Sequence, residues 1–345
     1  MKNNKLFKFC VIALSIVLVA CAGGSSDEAG CPVIEDRKIN VVATTPMIGE
    51  FVSQVGGENI NLTVIMPPEA DPHTYEPAPQ DAGTIADADL VFYTGLKYEP
   101  AAVVKLLESS ACSTSVLAEV GENVFPIEFK EGGHDGHDEE EGHDDHDDED
   151  GHDEEEGHDD HDGHEGHGHG AYDPHFWFDP NRVVYATEYI ESKLVEYDPS
   201  NSASYESAGS AYTDELKGLI GQVSDLISTV PSQNRKLITT HESLGYLEAK
   251  FGLEILSTII PSLTSANEIS PAELVDVIDV IEDNNVKVIF IEAEAPSVYA
   301  ETIVAETGIK AVDGLWVETL KAGQSYPDFL IAAVELIVEN LRNAD

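Results

Sequence analysis

The stretch from residue 205 to residue 230, YESAGSAYTDELKGLIGQVSDLISTV, decides the fold. Tyr205, Ala208, Tyr212, Leu216, Leu219, Val223, Leu226 and Val230 recur at spacings of three and four, which puts them on one stripe of a single helix. At 1.5 Å per residue this element is a rod of roughly 39 Å, long enough to connect two lobes and brace both. Gly209, Gly218 and Gly221 work against it, each costing up to about 1 kcal/mol relative to alanine in a helix interior.

On either side of the rod the pattern alternates between strands and helices. Residues 39–44 (INVVAT), 60–66 (INLTVIM) and 89–94 (DLVFYT) read as strands, 46–55 and 99–108 as helices, and 113–117 as a possible fourth strand. After the rod come strands at 236–240 (KLITT), 253–258, 286–292 (VKVIFIE) and 309–312, with helices between them. Ser270-Pro271-Ala272-Glu273 is a helix start, with Ser as cap, Pro in the first turn and Glu three residues after the cap. Such alternation predicts an α/β fold with a mostly parallel four-stranded sheet in each half. The length of 345 residues agrees, since single cores stop growing near about 250–300 residues. We expect an N-terminal lobe over 38–199, a connecting helix over 200–230 and a C-terminal lobe over 231–345.

The chain is 42% hydrophobic and 24% charged, with 18 Lys and Arg against 66 Asp and Glu, for a formal net charge of -48. So few cations exclude binding to a phosphate backbone, and no nucleic-acid partner is expected. Cations are the natural partners. Residues 131–170 hold twenty of the acids and no Lys or Arg, leaving 46 acids against all 18 bases elsewhere.

That tract, from 132 to 170, repeats Gly-His-Asp and Gly-His-Glu themes and contains ten of the thirteen histidines: His134, His137, His143, His146, His152, His158, His161, His164, His167 and His169. It has no apolar residues to bury and repels itself, so it is expected to be a disordered insert in the first lobe. Imidazoles among carboxylates suit loose, multiple, exchangeable metal binding.

At the amino end, Lys2, Lys5 and Lys8 precede an apolar run over 9–20 that is too short to span a bilayer. It reads as an export signal over 1–20. Leu18-Val19-Ala20-Cys21 resembles a bacterial lipobox, in which Cys21 is lipidated and becomes the first mature residue; 21–37 is then a flexible tether. Cys31 and Cys112 remain as the other mature cysteines. They can form one disulfide, but the sequence leaves the pairing open, and 81 positions apart they make a poor zinc site of the CxxC type.

Three histidines lie outside the tract. His73 stands in DPHTYEP (71–77), just after the second strand; His175 in DPHFWFDP (173–180), before a helix; His241 in THESLGYL (240–247), at the end of the strand KLITT. Open α/β sheets bind ligands outside the carboxyl ends of their strands, so two sheets face to face bring these histidines together. A lone histidine at a strand end is commonly a surface or capping residue; three together point to metal ligands.

With GLWVETL (314–320) added, these segments resemble, in order, the landmarks of the zinc-binding solute-binding lipoproteins of bacterial ABC transporters. That family includes zinc-uptake periplasmic binding proteins, related manganese receptors and streptococcal adhesins. The resemblance covers nearly the whole mature chain from about Lys38. It implies two α/β lobes joined by one long rigid helix, small lobe motions, and no enzyme activity. It also implies a cleft where His73, His175, His241 and Glu318 bind Zn²⁺ for delivery to an ABC permease. The family position of Glu318 is usually Asp; the longer side chain either ligates or leaves the fourth place to water. The manganese receptors place a carboxylate where His241 stands, and three imidazoles with one oxygen favour zinc over manganese. The protein is then an exported monomer, either lipid-anchored at the outer face of the cytoplasmic membrane or periplasmic. A manganese receptor, a surface adhesin or zinc buffer, and a zinc hydrolase with Glu242 as base remain the alternatives. Glu292 and Glu294 are expected either to support the ligands or to serve as structural caps. Glu76 is expected to orient His73, Asp71 and Asp173 to hold turns, and Trp177 and Trp316 to exclude water.

Overall fold

The computed structural model describes residues 31, 37–129, 172–295 and 297–342. The export signal, Cys21, most of the tether and the histidine tract lie outside the described residues.

The first half of the chain builds β1 (Ile39–Ala43), α1 (Pro46–Gly56), β2 (Ile60–Val64), α2 (Pro79–Ala86), β3 (Leu90–Tyr93), α3 (Ala101–Ser110) and β4 (Leu117–Glu119). These strands form a parallel sheet in the order β2-β1-β3-β4. Two helices follow, α4 (Pro180–Tyr197) and α5 (Ser202–Ser228). The second half contributes β5 (Lys236–His241), α6 (Gly245–Phe251), β6 (Glu254–Ile260), α7 (Pro271–Asn284), β7 (Val288–Glu292), α8 (Tyr299–Thr307), β8 (Lys310–Leu315) and α9 (Tyr326–Arg342). Its sheet, also parallel, has the same plan in the order β6-β5-β7-β8. In both halves the central strands end at the face where ligands are held in open α/β sheets.

Local chemistry starts the helices as the sequence implies. The Thr45 hydroxyl caps α1 by accepting the Ile48 N–H ahead of Pro46. Ser270 and Glu273 form a reciprocal capping box at α7. The expected strand at 113–117 is shifted: the Ser113 hydroxyl accepts the Ser115 N–H and nucleates a 3₁₀ turn over Thr114–Val116, so β4 begins only at Leu117.

Helix α5, at 27 residues about 40 Å long, packs on α1 and α4 of the first lobe and on α9 of the second. Its buried stripe is Tyr205, Gly209, Tyr212, Leu216, Leu219, Val223 and Ile227. At Gly209 a Cβ would lie 2.1 Å from Glu191 Oε2, the free end of an α4 side chain that can swing aside, whereas Gly218 and Gly221 face open space. One apolar core runs through both lobes, including Val41 and Phe92 from the first sheet, Leu216 and Val223 from α5, Leu237 and Phe290 from the second sheet, and Phe329 and Val334 from α9. The alternate strand residues serve smaller clusters on the outer faces, Val42 and Val91 in one lobe and Ile238 and Ile289 in the other.

A disulfide joins Cys31 to Cys112, which settles the pairing the sequence leaves open. Glu128 and Tyr172 form an antiparallel bridge that brings together the chain on either side of residues 130–171. Among the described residues no helix is long and apolar enough to cross a membrane.

Candidate metal centre

The two Asp-Pro-His tripeptides fold alike. The Asp71 carboxylate accepts the His73 N–H at 2.9 Å and opens a 3₁₀ turn, Pro72–Thr74. The Asp173 carboxylate accepts the His175 N–H at 2.8 Å, and a 3₁₀ turn over Phe176–Phe178 follows. In each case the short acidic side chain closes a turn onto the amide two residues on, and proline fixes the backbone between them. His241 is the last residue of β5, and Glu318 lies in the connection between β8 and α9.

These four side chains converge. The Nε2 atoms of His73, His175 and His241 lie 3.3, 3.2 and 2.7 Å from a single oxygen, Glu318 Oε1. Their potential ligand atoms all fall within 4.8 Å of one another. Tetrahedral zinc, with bonds of about 2.0–2.1 Å to nitrogen, spaces its donors roughly 3.3 Å apart, so this set fits with small adjustments. His241 Nε2 is in electrostatic contact with Glu318 Oε1 at 2.7 Å. It is a fully buried nitrogen whose contact with Glu318 is that of an ion pair rather than of a well-formed hydrogen bond. Such an atom is costly in a core unless it serves as a donor to something else.

The opposite ring nitrogens are engaged. His175 Nδ1 contacts Asp173 Oδ1 at 2.8 Å, and His241 Nδ1 contacts Glu292 Oε2 at 2.5 Å. A carboxylate on Nδ1 holds the proton there and leaves the Nε2 lone pair for a cation, the arrangement by which outer acceptors orient metal-ligating histidines.

Burial pulls the His175 imidazole toward its neutral form, but Glu318 and Asp173 outweigh it and raise its pKa to about 9. For His241, burial acts the same way and Glu292 with Glu318 overcomes it, leaving the imidazole well above the usual histidine range. Burial also opposes ionisation of Glu318, yet His175 and His73 hold its carboxyl well below the usual carboxylate range.

Residues not singled out from the sequence complete the site. The buried Tyr98 hydroxyl lies 2.9 Å from Glu318 Oε2 and 3.0 Å from its main-chain oxygen, as a donor to both, and its ring meets His73 edge-on. Burial, then Glu318, pushes the Tyr98 phenol well above its ordinary pKa. Tyr98 follows a run of positive-φ residues, Gly95, Leu96 and Lys97; carboxylates hold the amides at its start, Glu99 accepting the N–H groups of Gly95 and the preceding Thr94, and Glu119 that of Leu96. The signal for Tyr98 was its place past the end of β3, comparable to that of His73 past the end of β2.

Asp71 and Asp173 hold turns as expected, and Asp173 also orients His175. Glu292 and Glu294 both support the site: Glu294 Oε1 accepts the N–H groups of Val317, Glu318 and Thr319 at 3.1, 3.0 and 3.3 Å. Burial and then Glu318 raise the Glu294 carboxyl to about 8. Trp177 is fully buried against His175 and donates to Val317 O at 2.8 Å. Three expected neighbours stand apart. Glu76 is exposed, and the His73 ring bonds to Glu318 instead. Trp316 is covered by Lys321. Glu242 takes the Thr258 hydroxyl at 3.1 Å.

Residues 41–340 match the profile of the family described as "ZnuA: Zinc-uptake complex component A periplasmic". The chain belongs to this family. It is 30% identical to the "High-affinity zinc uptake system protein ZnuA" of Bacillus subtilis (strain 168), over 96% of each chain. It is also 27% identical to the "Manganese ABC transporter substrate-binding lipoprotein PsaA" of Streptococcus mitis, over 98% of this chain and 99% of that one. Among solved structures, the periplasmic zinc binding protein TroA from Treponema pallidum superposes with a TM-score of 0.70 at 21% identity, covering 89% of this chain and all of that one, which shows the shared two-lobe fold. The protein is thus a metal-binding component of an ABC transporter, not an enzyme. ZnuA family relatives are named for more than one metal.

Proposed function

We propose that this ZnuA family member is a zinc receptor, in which His73, His175, His241 and Glu318 capture Zn²⁺ outside the cytoplasm and hand it to an ABC permease. The observation that carries the reading is the convergence of three imidazole Nε2 atoms on one carboxylate oxygen, two of them with Nδ1 engaged by carboxylates. Three nitrogen donors and one oxygen suit the four-coordinate preference of zinc, whereas Mn²⁺ favours more oxygen donors. The export signal and Cys21 argue for anchoring by lipid at the outer face of the membrane. The 132–170 tract serves as an accessory reservoir of loosely held metal.

The test is a competitive titration of the full chain with Zn²⁺ and Mn²⁺ against a chelator strong enough to strip the tract, alongside His241→Ala. One tight zinc site, much weaker in the variant and poorly filled by manganese, supports the proposal. Equal competition by manganese makes the protein a manganese or broad-range receptor, and tight zinc binding untouched by His241→Ala moves the site elsewhere.

A further inference from the structure

The segment that carries Glu318 hangs between the lobes by two different sets of bonds. Its carbonyl groups face the first lobe: Val317 O accepts from Trp177 Nε1 at 2.8 Å, Glu318 O from the Tyr98 hydroxyl at 3.0 Å, and Leu320 O from the Glu69 N–H at 3.3 Å. Three consecutive N–H groups, those of Val317, Glu318 and Thr319, face the second lobe and share one acceptor, Glu294 Oε1, just beyond β7. His241, on neighbouring β5, is held to the end of the same strand β7 through Glu292. The β7 end therefore fixes two of the four site residues relative to each other, one through Glu292 and one through Glu294. Without Glu294, the segment keeps its bonds to the first lobe and its attachment to β8, where Leu315 O accepts the Ala293 N–H at 2.8 Å, but it loses the three amide bonds that fix Glu318 against His241.

We infer that Glu294 is a positioning residue for metal binding: as a shared acceptor for three successive amides, it sets Glu318 against His241 and so determines the affinity of the centre. The inference rests on Glu318 being a ligand. The role needs an acceptor oxygen at the reach of a glutamate side chain, and needs no charge.

The experiment is chelator-competition titration of the full chain with Zn²⁺ alone, for Glu294→Ala, Glu294→Asp, Glu294→Gln, Glu318→Ala and the Glu294→Ala/Glu318→Ala double variant, with circular dichroism to verify folding. Glu294→Ala should weaken the tight site about 10- to 100-fold, the range for outer partners of metal ligands. Glu294→Gln, which keeps an oxygen at the same reach, should recover affinity to within about threefold of the parent, and in the Glu318→Ala background Glu294→Ala should add almost nothing. If the alanine variant does not fold, Glu294→Asp carries the test, because its carboxylate stops one methylene short and should still lose about tenfold. An alanine or aspartate variant that binds like the parent overturns the inference. So does a loss that simply adds to that of Glu318→Ala, which would make Glu294 a general scaffold residue. Full affinity in Glu318→Ala alone instead removes Glu318 from the ligand set, a separate failure that reaches the inference only through its premise.

Discussion

Replacing Glu292 by glutamine isolates the group that orients His241. In the parent protein Oε2 contacts His241 Nδ1 at 2.5 Å, while Oε1 accepts the His241 N–H at 3.2 Å and the Ser243 hydroxyl at 3.1 Å. Glutamine offers these three donors only one oxygen. With that oxygen toward Nδ1, the NH₂ group meets the His241 amide donor to donor. With the NH₂ toward Nδ1, the imidazole must move its proton to Nε2, which removes the lone pair aimed at the centre. The first arrangement exchanges a charged acceptor for a neutral one, a difference of about 1 kcal/mol, and leaves a buried amide unpaired at about 1–3 kcal/mol. Part of the second penalty is common to the metal-free and loaded states and cancels. The remainder, about 1.4–2.7 kcal/mol, is a 10- to 100-fold rise in the zinc Kd. Chelator competition on the full chain measures it, with Ser243→Ala as a comparison that removes one outer bond and is expected to change Kd by less than about threefold. A folded Glu292→Gln protein that binds zinc within threefold of the parent refutes the reasoning, because His241 would then need no orienting acceptor or would not be a ligand.

Tyr98→Phe removes the donor to Glu318 and should lower the stability of the metal-free protein at neutral pH by about 1.5–3 kcal/mol in a denaturant titration; a change below 0.5 kcal/mol would show the bond to be dispensable. Zinc affinity should fall as pH falls, since His175 with a pKa raised to about 9 and His241 well above its usual value must both lose protons to bind, and calorimetry in buffers of different ionisation enthalpy should count about two protons released per ion at pH 7. In the metal-free protein the sign reverses. The raised His175 stabilises the fold fully below its ordinary value of 6.5, and that contribution is lost as pH rises through about 9, so the melting temperature should decline across this window. Cys31→Ser should cost about 2–4 kcal/mol by opening a cross-link between residues 81 positions apart, and a reductant should bring the parent's melting temperature down to that of the variant.

The three histidines were legible because each occupies a punctuated position, two after Asp-Pro and one at the end of an apolar strand. The α/β alternation and the long helix were legible for the same reason, since period and caps are local. Glu292, Glu294 and Tyr98 were not assigned these contacts, and distance along the chain explains why. Glu292 meets His241 across 51 positions and Tyr98 meets Glu318 across 220, so no local pattern pairs them, and a chain with 66 acids offers many equivalent carboxylates. The division of the core was not legible for a related reason. Strands buried on both faces read as continuous apolar runs. Periodicity therefore does not say that Val41 and Leu237 point into one interior shared by both lobes while Val42 and Ile238 point outward.

Burying charge is expensive, and this centre combines a fully buried carboxylate with three imidazoles, which raises the question of how the same side chains survive with and without a cation. The titration shifts supply the answer. Without metal, Glu318 is held ionised while His175 and His241 retain protons at neutral pH, so the anion is compensated by its own neighbours. A divalent cation that displaces those two protons leaves the buried charge of the site unchanged. The cost of burying these side chains, the largest single influence on the titration of each, is therefore offset in both states by charge of the opposite sign. Affinity is then set by the release of those two protons together with geometry: how well Asp173, Glu292 and Glu294 hold the donors in place once the protons have left.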